Sequence, residues 1–267
     1  MTFLVPVLVA FILRFTPWRA GLPVDLPTLW AQSLHARAAS VPGWLFPLLL
    51  LAPLLPLGWL LWMLDGVAYG LALLVVQVLV LLAAVGRTDP LGRYGANFEQ
   101  AWERGDLAAA SLVAERDLQV NADDASALLV ETRTGLAWEA CHGYFVPVFW
   151  FVLLGPLAAL AYRLWWVSAR AYTEQGLTAS LVHALEWIPA RLMGLSIALV
   201  GHFDPTLQQL NLLCKQWETA TREVVQRCLL ASLGDAAAPT PLAPARILVE
   251  RALLVWALVI AFIEVAA

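Results

Sequence analysis

Between Arg37 and Arg87 the only charged side chain is Asp65. Residues 43–64 are nearly all Leu, Pro and Trp, and residues 66–85 continue without a charge, so two apolar stretches follow one another with a single carboxylate between them. A hydrocarbon core about 30 Å thick takes roughly 20 apolar residues as a helix. Stretches of that length and purity are read as a transmembrane hairpin. Composition extends the reading to the whole chain: 61% of its 267 residues are hydrophobic, 13% are charged and the mean hydropathy is +0.74. A soluble domain of this size would carry about 25% charged residues, because its outside faces water. The 13 tryptophans agree, since an indole suits the membrane interface. Cys141, Cys214 and Cys228 are few, odd in number and unpaired in spacing, which excludes a disulfide scaffold and reads as buried or reduced thiols. A net charge of -4 and a single lysine, Lys215, exclude a nucleic-acid surface and a polybasic lipid-binding arm.

The expected fold is all-α: a polytopic transmembrane helical bundle with a small helical cytoplasmic cap. Besides the hairpin, residues 144–167 and 247–265 read as spans. In the former, Arg163 beside Trp165 and Trp166 is placed to snorkel to the interface. Residues 181–201 are long enough to span but contain His183, Glu186, Pro189 and Arg191. Ionisable groups at that depth are costly and normally face a bundle interior, a water cavity or a partner. Residues 2–15 are apolar but short; they make the count six if they cross and five if they lie at the interface. With no basic residue before them and no small-residue cleavage site, they do not read as a cleaved signal peptide.

Counting basic residues in short loops and at segment ends places the flanks of the hairpin, with Arg14, Arg19, Arg37, Arg87, Arg93, Arg104, Arg116 and Arg133, inside. Asp65 is then outside, the 168–180 connection with Arg170 is outside, and residues 202–246 are cytoplasmic. The organisation read from this is 1–85 N-terminal membrane segments, 86–143 cap, 144–201 central membrane segments, 202–246 cytoplasmic helix and linker, and 247–267 C-terminal membrane helix. The localisation implied is multi-pass in a membrane, with the lipid bilayer as first partner.

The cap is helical throughout. A turn-rich connector at 86–92 leads to a helix over 97–104 stopped by Gly105. Asp106 is placed to cap a helix over 107–119, because its carboxylate can accept from first-turn amides. Asn121, Asp123 and Asp124 mark a third start, from which 125–142 runs into the 144–167 segment. A further amphipathic helix is expected over 207–233, followed by Gly234-Asp235 and an Ala- and Pro-rich linker at 236–244.

No soluble catalytic signature is present: there is no G-x-S-x-G, H-E-x-x-H, Walker lysine or G-x-G-x-x-G, so no catalytic residue, metal ligand set or cofactor is assigned. The glycines at 86, 92 and 95 read as a connector leaving a membrane helix. Glu139 and His142, three apart on a helix, can point into one site and suit binding of a ligand or a metal, or proton exchange, or simply a solvated helix end. Glu186 and Arg191 flank Pro189 and read either as a charge pair flooring a polar cavity or as a packing pair. Arg116, Asp117 and Glu131 occupy the cap, where a salt-bridged surface is the plainer reading. With Arg163, these eight residues form the candidate ligand-binding set.

The run 144–163, Tyr-Phe-Val-Pro-Val-Phe-Trp-Phe-Val-Leu-Leu-Gly-Pro-Leu-Ala-Ala-Leu-Ala-Tyr-Arg, and the later Leu-Glu-Trp-Ile-Pro-Ala-Arg-Leu at 185–192 resemble the AmpE and CobD/CbiB superfamily of polytopic membrane proteins. Arg116-Asp117 resembles its Gly-Arg-Asp element, with Glu115 in the glycine place. The resemblance covers about residues 90–200, and the order of segments agrees over the whole chain. The CobD/CbiB branch, which joins an aminopropanol unit to a corrinoid carboxylate, carries Glu-Asn-x-x-Asp-Gly where this chain has Trp138, Glu139, His142 and Gly143. It also carries Asn-Thr-x-Asp-Ser where Trp166, Val167, Ala169 and Arg170 stand. Loss of both Asp positions removes the acidic groups that a metal would need in such a synthase. What remains resembles the AmpE branch. That resemblance implies an inner-membrane regulatory or sensory role in inducible beta-lactamase control, a functional link to an AmpD-type amidase, and a small cell-wall-derived or phosphate-bearing ligand.

Overall fold

The structure is a computed structural model that describes residues 4–16, 25–37, 45–86, 89–122, 124–171, 177–234 and 240–266. Among them every regular element is helical, as the sequence led one to expect. The chain folds as two compact units, one comprising residues 1–87, 146–186 and 259–267, the other 88–145 and 187–258.

The first unit contains α1 (Leu4–Phe15), α2 (Leu26–His35), α3 (Phe46–Leu50), α4 (Leu54–Met63), α5 (Leu71–Val85), α9 (Val146–Leu154) and α10 (Pro156–Ala171). Its centre is α10, which packs on α2, α4, α5 and α9, while α1 packs on α5. Ala31 and Leu34 of α2 meet Leu50, Leu164 and Val167 in a buried cluster. The apolar runs are more broken than their composition suggests. Within 43–64, of which 43 and 44 lie outside the described residues, α3 and α4 are separate helices, with Pro53 at the N-cap of α4. Proline lacks the amide that a continuing helix would use and crowds the preceding turn. Residues 66–85 begin with a 3₁₀ turn at Val67–Gly70, and α5 starts only after Gly70 at φ +82°.

The expected single span over 144–167 is also corrected. Gly155, at φ +87°, ends α9, and Pro156 opens α10, which packs back against α9. Glycine reaches that left-handed conformation at no steric cost, and proline suits the first helical position because its missing amide would be unbonded there anyway. Upstream, helical structure is continuous. Ala125–Leu154 is, among the described residues, the one helix long and apolar enough to cross a membrane; Leu4–Phe15, Leu54–Met63 and Leu71–Val85 are shorter apolar helices.

The second unit contains α6 (Ala96–Glu103), α7 (Leu107–Val113), α8 (Ala125–Ala140), α12 (Phe203–Cys214) and α13 (Thr221–Leu233). Here α6 packs on α7, α8 on α13, and α13 on α12. The local start signals work as expected: Asp106 accepts from the Ala109 amide at 2.9 Å and Asp124 from that of Ala127 at 2.6 Å. Asp123 lies outside the described residues. The expected 207–233 helix is two helices, α12 and α13, separated by residues 215–220. Their inner faces meet through Leu210, Leu213, Val224 and Cys228. Two long helices, α11 (Leu177–Val200) and α14 (Ala243–Ala266), contribute to both units. Helix α14 already begins inside the expected linker, at Ala243; of that linker, 236–239 lie outside the described residues. Cys141 and Cys228 are buried and Cys214 half-buried, all as free thiols. Burial pushes the Cys228 thiol up to about 12, so it is inert at neutral pH.

Candidate functional site

In the cap, Arg116 and Asp117 sit on a π-helical turn, Ala114–Leu118, that closes α7. The Arg116 guanidinium donates to both oxygens of Asp117, from Nε at 2.6 Å and Nη2 at 3.0 Å, and Asn97 Nδ2 donates to Asp117 Oδ2 at 3.0 Å. These bonds hold the Asp117 carboxyl down at about 2 and raise Arg116. Asp117 lines a cavity of about 230 Å³ together with Asp89, Arg93 and Asn97. Arg93 is exposed and its side chain has no partner among the described residues. Sequence reasoning had Asn97 only as a helix start and the glycines at 92 and 95 only as a connector. Gly95 begins α6 at φ +71°, which turns the chain so that Asn97 reaches Asp117.

Glu131 is not part of that cavity lining. It accepts from Arg222 Nη2 at 2.9 Å and Gln226 Nε2 at 3.0 Å, joining α8 to α13. Across the same unit Arg246 donates to Glu99 at 3.1 Å, and Arg133 donates to the Pro241 carbonyl at 2.7 Å. These are packing links.

Glu139 and His142 do come together, and not at a solvated end. Both are buried, and His142 Nε2 lies 3.2 Å from Glu139 Oε2. A second π-helical turn, Cys141–Phe145, carries His142, and all five of its residues are buried. His142 Nδ1 is 2.8 Å from the Trp138 carbonyl. A carbonyl only accepts, so Nδ1 carries the hydrogen. The carboxyl and the imidazole thus lie side by side inside the second unit.

In the first unit the expectation for Arg163 is corrected. Its side chain is 8% exposed and bonded to Asp25 at 3.2 Å, because α10 packs on α2 and carries the guanidinium inward. The same guanidinium lies over the Trp166 ring at 4.8 Å, and a Cβ on Gly86, at φ +77°, would come within 2.7 Å of it. Asp25 also caps α2, accepting from the Thr28 amide at 3.3 Å. Neither Asp25 nor Gly86 was read from the sequence as a partner for Arg163.

Glu186 and Arg191 do not pair with each other. Five residues apart on one helix, they point about 140° away from one another. Glu186 accepts from the Tyr162 hydroxyl at 2.8 Å. Arg191 donates to the carbonyls of Trp187 at 3.1 Å, Leu213 at 3.3 Å and Gln216 at 3.1 Å, and stacks on the Trp187 ring at 4.1 Å. Leu213 and Gln216 lie at the C-terminal end of α12, where unbonded carbonyls carry partial negative charge. Arg191 thus caps α12. Pro189 leaves the Leu185 carbonyl without its helical partner, and the Trp150 indole donates to it at 3.1 Å. This bond and the one from Tyr162 to Glu186 join the two motif segments, 144–163 and 185–192.

A family model described as "Regulatory signalling modulator protein AmpE" matches residues 44–266. "Protein AmpE" of Shigella flexneri is 28% identical over 187 residues, 64% of this chain and 65% of that protein. "Cobalamin biosynthesis protein CobD" of Stutzerimonas stutzeri (strain A1501) is 25% identical over 210 residues, 74% of this chain and 66% of that protein. The chain thus spans just under two thirds of the length of either relative. No solved structure matches.

Proposed function

The chain belongs to the AmpE family, and from that premise we propose that it is a multi-pass inner-membrane regulator of inducible beta-lactamase. In this reading it senses a small cell-wall-derived or phosphate-bearing ligand and works in functional connection with an AmpD-type amidase. The observation that carries the reading is the family match over 44–266. The placement in a membrane is supported by the apolar exterior of the first unit, where Leu55 is 78%, Trp62 76% and Phe262 74% exposed. In this reading Gly70 and Gly155, which line one cavity, lie toward one face of the membrane, and α5 and α10 run from there toward the other.

The cap cavity, with Asp89, Arg93, Asn97 and Asp117, offers both signs of charge to a polar ligand. Deletion of the gene in a strain with inducible beta-lactamase should change the enzyme level reached after a beta-lactam. The full chain should restore that level, and Asp117→Asn should not, at equal amounts of protein in the membrane. Unchanged induction in the deletion strain would remove the proposal.

The match to a CobD protein favours a second reading, an amide-forming synthase acting on a corrinoid. Trp138, His142, Trp166 and Ala169 at the branch's acidic and polar positions weigh against it. A visible corrinoid spectrum in protein purified from cobalamin-producing cells would revive it.

A further inference from the structure

The first unit holds a cavity of about 340 Å³ whose chemistry differs from that of the cap. Leu73 and Leu74 of α5 and Phe151 and Val152 of α9 supply its apolar walls, and the turns at Gly70 and Gly155 close one end. The volume falls within the roughly 300–1,000 Å³ of small-molecule pockets. Among the described residues no charged side chain lines it, which disfavours the charged, water-borne ligands that suit the cap cavity. Gln77 contributes the one polar side chain of that lining. It is half-buried, and its amide has no partner among the described residues. An amide that faces hydrocarbon without a hydrogen bond is disfavoured. A ligand group able to bond it would remove that cost. Leu71, Val75, Leu153 and Leu154, neighbours of the lining residues in sequence, are exposed. On the reading that the first unit lies in a bilayer, the medium that meets the cavity is hydrocarbon. Gln77 lies seven residues beyond Gly70, about 10 Å along the helix, and side chains on a helix lean back toward its N-terminal end, so the amide is directed to the Gly70 boundary of the apolar layer, the level of phospholipid ester groups.

We propose that this cavity binds the acyl chain of a membrane phospholipid, with the ester carbonyl accepting a hydrogen bond from Gln77 Nε2. The full chain would be reconstituted into phosphatidylethanolamine vesicles carrying a trace of a phospholipid with a photoreactive diazirine on its acyl chain, and adducts mapped by peptide mass spectrometry. Adducts should concentrate on 70–77 and 151–156, at higher density than on Leu258, Phe262 and Ile263 of α14. Val152→Trp fills the cavity and should lower the labelling of these segments about tenfold, leaving α14 unchanged as the control for insertion and folding. Gln77→Leu keeps the volume and should lower it about fivefold, the effect of one lost hydrogen bond. Equal labelling density on both regions, unmoved by either variant, would overturn the cavity proposal while sustaining the membrane reading. No adducts on either region, with the chain outside the vesicles, would overturn the membrane reading itself.

Discussion

The Arg163–Asp25 pair of the first unit and the surface pairs of the second satisfy their charges in opposite places, although the second unit also encloses Glu139–His142 and Arg246–Glu99. In the first, the charged and hydroxyl-bearing side chains turn inward, as Arg163 does to Asp25, Tyr162 to Glu186 and His35 to Ser168, while leucines and tryptophans cover the outside. In the cap helices of the second, Arg116–Asp117, Arg222–Glu131 and Arg227–Glu223 are ion pairs on the surface, over a core that includes Phe98, Leu136 and Leu229. The same bond between guanidinium and carboxylate has different worth in the two settings. Exposed, it gains little over hydration; buried, each partner has already lost its water, so removing one strands the other.

The contrast can be broken by truncating one arginine in each unit. Arg163→Met leaves Asp25 largely buried without its cation and should cost about 3 kcal/mol. Thermal unfolding of the full chain in a mild detergent reads this, and equal losses for Arg163→Met and Arg222→Met would erase the distinction between the units. A smaller effect tests how α9 and α11 are joined. Trp150→Phe removes the donor that serves the Leu185 carbonyl and should cost about 1 kcal/mol. In a Pro189→Ala background the amide regained at that position can serve the carbonyl instead. The cost of Trp150→Phe should then shrink, and a double-mutant cycle showing no coupling would mean that the bond does not depend on the proline. Smaller again, Glu131→Gln should cost less than about 1 kcal/mol and fade further in high salt, because its cationic partner Arg222 is exposed.

What could be read from the sequence follows the range of the interactions. Asp106 and Asp124 could be placed as caps because each bonds an amide three residues away. The helical cap and the apolar character of the remainder were legible for the same reason, as local pattern and bulk composition. The break at Gly155 was harder. Gly-Pro is a punctuation mark in a water-facing helix, but inside an unbroken apolar run the composition gives no sign that the chain reverses. Asp25 and Arg163 are 138 residues apart, and only packing of α10 on α2 joins them. The separation of Glu186 from Arg191 could have been seen: a spacing of five puts two side chains on different faces of a helix, whereas the Glu139 and His142 spacing of three brings them together. The cap cavity was half legible, through Arg116 and Asp117, but Asn97 reaches it by way of a turn at Gly95.

That cavity supplies the mildest test of the contrast, because Asp117 is exposed while Asp25 and Glu186 of the first unit are enclosed. Hydrogen bonds from Arg116 and Asn97 hold its carboxyl at about 2, below the 3.8 of an unperturbed aspartate. A group whose acidity is strengthened by folding stabilises the folded state above its unfolded pKa and loses that contribution as pH falls through its folded one. The difference in unfolding midpoint between the parent chain and Asp117→Asn should therefore be constant above about pH 4 and close as pH falls toward 2. Asn97→Ala should narrow the same difference by removing one of the donors. A gap that stays constant down to pH 2 would show that Asp117 is not held by Arg116 and Asn97 in solution, and that the cap's surface pairs do not shape its cavity.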